Sequence, residues 1–252
     1  MRSLTVTALP GIGEVQPGED LGAALCAALA AAALVPRPQD VLVVTQKIVS
    51  KAENRYVDLG AVQVSPRAAE LAATTRKDPR LVELVLAEST EVLRAKANVL
   101  IVRHRLGFVM ANAGIDRSNV SGADRVLLLP RYPDGSATEL RNAVVQRFGV
   151  ADIGVVVSDS FGRPWRKGVT HVALGAAGLP ALLDRRGERD RNGRKLEVTE
   201  VALADQLACA AGLLMGEGAE GLPAVLIRGL AWSVPPVPAS ELIRPLAEDL
   251  FR

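Results

Sequence analysis

The sequence predicts a mixed α/β fold, α+β in layout, in a single module over residues 1–252, and three observations point there. Short runs rich in Val and Ile, of buried-strand type, recur along the chain. Between them lie Ala- and Leu-rich stretches with helical spacing of their apolar residues. Some connections are short enough for hairpins, which argues against a regular doubly wound sheet. With 49% apolar residues the chain can bury a substantial core, and with 3% aromatics that core must be built from Ala, Val and Leu.

Each element follows in order. SLTVTAL (3–9) reads as a strand. Asp20 then caps a helix over 21–34, which Pro36 and Pro38 stop. DVLVVTQKIVS (40–50) is a β-branched run predicted as one buried strand. Residues 67–77 and 81–88 are predicted helical, with Pro79 between them. NVLIVR (98–103) and GFVMANA (107–113) follow as strands. A helix over 138–148 leads into the strand ADIGVVVS (151–158), and THVALGAAG (170–178) is a strand closing on small residues. Residues 200–215 make an amphipathic helix with Ala204, Leu207, Ala208, Ala211 and Leu214 on one face. PAVLIRG (223–229) is another buried strand, and residues 241–251 are predicted as a terminal helix.

Composition excludes several function classes. Net charge is +2 with acids and bases interspersed, so no basic face is available to grip nucleic acid. No apolar run reaches the roughly 18 residues that span a bilayer. The N-terminus has no signal-peptide core, so a cytoplasmic protein is expected, with Cys26 and Cys209 as reduced core residues. Two histidines, His104 and His171, are poor material for a zinc site, and each alone reads as structural. There is no Walker A loop, no dinucleotide-binding GxGxxG after a strand, no HExxH and no GxSxG. The charged run DRRGERDRNGRK (184–195) reads as a solvated hairpin or mobile loop, or as a flap over an anionic substrate.

The chemistry concentrates in clusters at strand ends and Gly-rich turns. LPGIGEVQPGED (9–20) is a turn whose backbone N–H groups could approach a ligand. TQKIVSKAENR (45–55) places Lys47 and Lys51 after a buried strand, where they can neutralise phosphate as point charges. ANAGIDRSNV (111–120) sets Asp116 in a polar turn with Ser118 and Asn119. VVVSDSFGRPWRKGVT (155–170) ends an apolar run in Asp159 and Ser160, an oxygen pair suited to a hard cation, and then turns cationic. MGEGAEGLP (215–223) closes a helix in glycines that carry Glu217 and Glu220. Acids for cations, bases for phosphates and glycine turns together describe a metal-dependent nucleotide enzyme of the phosphoryl-transfer type.

At these clusters the sequence resembles the coenzyme F420-0:L-glutamate ligase family, the γ-glutamyl ligases of deazaflavin coenzyme biosynthesis. DVLVVTQKIVSKAENR, GFVMANAGIDRSNV, VVVSDSFGRPWRKGVTHVALGAAG and MGEGAEGLPAVLIRG match in the family's order and extend over nearly the whole chain. The resemblance implies a two-lobed fold and a GTP-dependent ligase in which the acceptor carboxylate takes the γ-phosphoryl group, giving an acyl phosphate that the amine of L-glutamate attacks. Further γ-linked glutamates could follow. It also implies two divalent cations (Mg²⁺ or Mn²⁺), a monovalent cation such as K⁺, and a homodimer. Some bacterial relatives carry an added flavin-binding domain after this module, and none is expected here.

By position, the resemblance makes Asp116, Asp159, Ser160 and Glu217 metal ligands. Gln46, Lys51 and Asn119 become nucleotide contacts. Leu9, Pro10, Gly11 and Ile12 form one nucleotide-binding turn, and Met215, Gly216, Gly218, Ala219, Glu220, Gly221 and Leu222 the other. Gly11, where an acid is common, and His171, at a position often polar, depart from the pattern. Charge alone nominates Arg163 and Arg166, with Lys167, as catalytic contacts to phosphate or carboxylate, on a turn permitted by Gly162 and Gly168 and anchored by burial of Trp165. The competing readings are a paralogous ligase with another acceptor and a GTP- and metal-binding regulator without turnover.

Overall fold

The computed structural model describes residues 3–120, 122 and 124–249. The first half comprises β1 (Thr5–Ala8), α1 (Leu21–Ala31), β2 (Val41–Thr45), α2 (Gln46–Ala52), β3 (Tyr56–Asp58), α3 (Pro66–Thr75), α4 (Pro79–Ala87), β4 (Ser89–Lys96), β5 (Val99–His104) and β6 (Val109–Ala111). The second comprises β7 (Arg125–Leu127), α5 (Pro133–Phe148), β8 (Gly154–Gly162), β9 (Val169–Ala177), β10 (Leu182–Asp184), β11 (Glu200–Ala202), α6 (Leu203–Met215) and β12 (Ala224–Arg228). The fold is mixed α/β, as its sequence predicts.

A five-stranded sheet in the order β1-β12-β2-β8-β9 forms the main layer. Only β2 and β8 run parallel; the other neighbours are antiparallel. Its central strands are continuous apolar runs because both faces are covered. Strand alternation sends Leu42, Val44, Val155, Val157 and Leu226 into one core, where Leu25 and Leu29 of α1 and Leu140 and Val144 of α5 meet them. Val41, Val43, Val156, Val225 and Ile227 enter the opposite core, against Leu203, Leu207 and Ala211 of α6. Truncating a fully buried residue such as Leu29 to Ala should cost about 2–5 kcal/mol.

A second, antiparallel sheet, β4-β5-β6, is backed by α3 and α4 around its own core of Ala68, Ala72, Val82, Val85, Leu100 and Val102. Phe108 and Met110 from this side pack with Leu129 and Leu174, joining it to the main layer. Among the described residues no helix is long and apolar enough to cross a membrane.

Several boundaries differ from expectation. The run 40–50 is not one strand: it leaves the sheet at Thr45 and coils into α2. Branched Ile48 and Val49 suggest a strand, but helical spacing packs both into the first core and lets Ser50 donate to Gln46 Oε1 at 2.8 Å. Tertiary burial outweighs propensity there. In place of the terminal helix over 241–251 stand two short 3-10 turns, Ala239–Leu242 and Leu246–Glu248. Pro245 between them lacks the N–H a continuous helix needs, and residues 250 and 251 lie outside the described residues. Residues 200–202 form β11, which pairs with β10, so α6 starts only at Leu203. Helix α5 begins earlier than expected, with Pro133 in its first turn, where proline fits. Cys209 is exposed and so is not a core residue, whereas Cys26 is buried; both are free thiols. The charged run 184–195 is the exposed extension of the β10–β11 pair, with a bridge between Arg189 and Lys195.

Candidate active site

Sheet register gathers the sequence clusters at one end of the main layer. β1 ends where β12 begins, so the turn after Ala8 lies beside the turn before Ala224; Leu9 N–H donates to Ala224 O at 2.9 Å. Thr45 N–H donates to Pro223 O at 2.9 Å, and Thr45 pairs with Ser158 across the parallel strands. Open α/β sheets bind ligands at the carboxyl ends of their parallel strands. A cavity of about 840 Å³ opens there. That volume falls within the roughly 300–1,000 Å³ typical of small-molecule sites. β6 and the segment that follows it add Met110, Ile115, Asp116, Ser118 and Asn119 to its lining.

Asp159 and Ser160 lie inside β8, not after it. β8 outruns its parallel neighbour β2 and continues as a two-stranded ribbon with β9, where Asp159 pairs with Val172 and Ser160 with His171. A register shift between Val157 and Ser158 marks where the ribbon leaves the sheet. Such bulges re-aim side chains beside functional sites. Asp159 takes a hydrogen bond from the buried Gln46 side chain. Ser160 Oγ donates to Glu217 Oε2 at 2.8 Å. Glu217 Oε1 lies 3.1 Å from His171 Nε2.

The two aspartates are driven apart in acidity. Burial pushes the Asp159 carboxyl up, to about 7, and the negative charge of Asp116 adds to the rise against opposing bonds from Ser160 and Gln46. Its side chain keeps partial access through the cavity and is enclosed by protein elsewhere. Burial also opposes charge on Asp116, but Lys47 and Ser118 outweigh it and hold that carboxyl below the ordinary range. Lys47 Nζ is 2.7 Å from Asp116 Oδ2 and donates to Ser118 Oγ at 2.8 Å, while Ser118 N–H donates to Asp116 Oδ1 at 2.6 Å. Paired carboxylates with opposite shifts mark sites where charge is handled.

The oxygens of Asp159, Asp116, Ser160 and Glu217 are the donor type that Mg²⁺ and Mn²⁺ favour, and Asp159 is a carboxylate short of positive charge. Among the described residues no three His, Cys, Asp or Glu side chains converge as a ready-made cluster. An ion here would complete its shell with the Ser160 hydroxyl and substrate oxygens, as Mg²⁺ commonly does.

Ile12, Gln46, Asp116, Asn119, Asp159, Ser160, Met215, Gly216, Glu217, Gly218, Ala219, Gly221 and Leu222 line the cavity. Leu9, Pro10, Gly11, Lys51, Glu220, Arg163 and Arg166 do not. Leu9 is fully buried. Lys51 is also buried, and its ammonium pairs with Glu14, which does line the cavity. Glu220 shapes the second glycine turn by accepting from Gly218 N–H at 2.8 Å. Arg163 and Arg166 sit on the exposed turn joining β8 to β9. Trp165 does not anchor that turn by burial: it is 82% exposed, at a positive φ of 58°. Glu14 and His171 were missed as lining residues; the first shows only as the acid of the Gly-rich turn, and the second carries no local signal.

Comparison with known proteins matches this geometry to a family. The family model described as F420-0:gamma-glutamyl ligase matches residues 11–229. A coenzyme F420:L-glutamate ligase of Methanopyrus kandleri is 43% identical over 254 residues, 99% of this chain and 98% of its own. That of Methanothermobacter thermautotrophicus is 41% identical over 256 residues, covering 99% of each. That of Halobacterium salinarum is 44% identical over 227 residues, 88% of this chain and 85% of its own. Every cluster that lines the cavity falls within the matched segment, and the chain belongs to the F420-0:gamma-glutamyl ligase family.

Proposed function

We propose that this protein is a ligase that joins L-glutamate to coenzyme F420-0, driven by GTP and releasing GDP and phosphate. The observation that carries the reading is that one cavity gathers Asp116, Asp159, Ser160 and Glu217, with Lys47 Nζ 2.7 Å from Asp116 Oδ2. The names of its relatives, coenzyme F420:L-glutamate ligases over most of their length, supply the acceptor and the amino acid.

The chemistry follows from what a carboxylate lacks. Its oxygen is a poor leaving group, so direct attack by an amine fails. In the proposed first step an acceptor carboxylate oxygen bonds to the γ-phosphorus of GTP, the bond from that phosphorus to the β-bridging oxygen breaks, and GDP leaves. The glutamate amine then attacks the acyl carbon, an amide forms, phosphate departs with the bonding pair, and the amine loses its proton. Asp116, Asp159, Ser160 and Glu217 would hold Mg²⁺ or Mn²⁺, which offsets nucleotide charge as two anions approach. Lys47 adds a fixed positive charge beside Asp116. The glycine turn at 216–221 lines the cavity without side-chain bulk at its glycines; Gly216 and Gly221 have φ of 70° and 66°, which favour glycine. Apolar Met110, Ile115, Phe161 and Leu222 give a wall suited to a planar heterocycle. A monovalent cation such as K⁺ and a homodimeric assembly belong to the same reading.

GDP release measured with F420-0 or glutamate omitted in turn tests it. A ligase needs both, and mass spectrometry must show F420-0 gaining one or more glutamyl units. GDP release that is indifferent to both omissions would sink the ligase reading.

A further inference from the structure

We propose that His171 is a positioning residue that fixes the carboxylate of Glu217 at the cavity; this rests on the reading of Glu217 as a metal ligand. Ser160 and His171 are cross-strand partners in the β8–β9 ribbon, and both reach the same carboxylate. Ser160 Oγ donates to Oε2 at 2.8 Å, and His171 Nε2 lies 3.1 Å from Oε1. Glu217 itself is on the turn after α6 with its side chain 53% exposed, so nothing in its own segment fixes its rotamer. Two donors on adjacent strands supply that constraint.

The histidine side of the clamp is the informative one. Its ring is buried, lines the cavity, and neither ring nitrogen makes a well-aligned hydrogen bond within the protein. A buried polar group in that condition is costly. A small rotation of the half-exposed Glu217 aligns its Oε1 with Nε2–H and removes the cost at that nitrogen. Oε2 and the Ser160 hydroxyl are then held in a fixed relation, and a ligand oxygen so held binds its cation more tightly than a free one.

Helix α6 is cut to receive this ring. A Cβ at Gly212 would stand 2.3 Å from His171 Cδ2 and 2.7 Å from Nε2, too close for any real contact. Glycine is a poor helix former, and it sits here in the last turn of α6. The recess explains it: with a Cβ at this position the ring could not lie against the helix and face Glu217. Recess and carboxylate are thus carried by one segment, and the histidine by the strand it packs on.

Mn²⁺ titrated into the full-length protein, with and without GDP, and followed by electron paramagnetic resonance tests this directly. His171→Ala should weaken Mn²⁺ binding about ten- to hundredfold. His171→Gln, whose amide N–H can stand where Nε2–H stands, should recover most of it. Gly212→Ala should weaken binding by a similar factor, since it displaces the ring. In the His171→Ala background Gly212→Ala should add nothing. Thermal unfolding of each variant checks that the fold survives, and Glu217→Gln is the reference. If Glu217→Gln weakens Mn²⁺ while His171→Ala leaves it unchanged, the positioning role is wrong and the metal reading stands. If Glu217→Gln also leaves Mn²⁺ unchanged, the metal reading itself fails. Additive losses in the double variant would overturn the link between the glycine recess and the histidine.

Discussion

Two partly buried acids in this molecule, Glu88 and Asp159, behave in opposite ways. Glu88 at the end of α4 meets Arg55 Nη2 at 2.9 Å, Arg105 Nε at 3.1 Å and His104 Nε2 at 3.4 Å. Burial would raise its carboxyl, but His104, Arg55 and Arg105 together win and hold it at about 2. Arg55 also donates to Leu129 O, and Arg105 to Arg131 O, so the group ties the end of α4 and the β5–β6 turn to the segment that leads into α5. At the other acid, burial raises the Asp159 carboxyl to about 7 and Asp116 adds to the rise, while the bonds from Ser160 and Gln46 and the charge of Lys47 only partly offset it. The first acid is held charged by its partners and fixes the fold; the second is held at a functional poise beside the cavity.

The sharpest way to break this contrast is to remove each acid's charge while keeping its shape. Asp159→Asn should lower turnover by about a thousandfold, in line with the loss of a preorganised electrostatic group, with little change in unfolding. Steady-state GDP formation and urea denaturation, run side by side, give both numbers. Near-normal turnover would mean the raised carboxyl is incidental.

Glu88→Gln should do the reverse. It leaves the buried Arg55 without its counter-charge and takes an ion pair from the more exposed Arg105, costing roughly 3 kcal/mol, while kcat per folded molecule stays the same. The pH dependence follows with a definite sign. The folded carboxyl at about 2 lies below its ordinary 4.5, so its stabilisation is fully present above pH 4.5 and is lost as pH falls toward 2. That contribution is on the order of 3 kcal/mol. Stability curves of the wild type and Glu88→Gln should therefore converge across that window; parallel curves would show that Glu88 is not the titrating group.

Lys51 lies between the two regimes. It is buried like the structural group, yet its ammonium meets Glu14 at the cavity wall. If it serves nucleotide phosphates, Lys51→Ala should weaken GTP about tenfold and leave guanosine nearly untouched, because the lost attraction is to phosphate. Equal weakening of both ligands in calorimetry would assign it to the fold.

How much of this was legible follows from which signals are local. The buried strands VLVV and AVLI announce themselves by branching and apolarity, and α1 by its alanines and its cap at Asp20, whose Oδ1 accepts from Ala23 N–H at 2.9 Å. The exposed-edged β4 does not: STEVLRAK alternates poorly and is only partly buried. Asp116 and Asp159 could be nominated from their turns and strand end, but their opposite acidities arise from sheet register and from Lys47 on α2, which no local pattern encodes. The start of α2 was hidden for the same reason. Where β2 must end is set by its neighbours, not by Ile48 or Val49. His171 and Gly212 are informative only as a pair, and they are distant in sequence.

The smallest expected effect concerns the exposed tip between β8 and β9. Arg163 and Arg166 stand outside the cavity lining, on a turn whose tryptophan is exposed, so the tip has little packing to hold it. A guanidinium grips phosphate or carboxylate with two parallel hydrogen bonds. Lysine keeps the charge and loses the fork, so Arg163→Lys and Arg166→Lys separate geometry from charge. The proposal that the tip meets substrate forecasts a two- to fivefold fall in kcat/KM, about 0.5–1 kcal/mol, with unchanged stability. Charge alone would be preserved by both variants. Wild-type kcat/KM for GTP, F420-0 and glutamate in both would therefore remove the arginine fork from the mechanism, leaving Asp159, Asp116 and Lys47 to carry the electrostatics of the site.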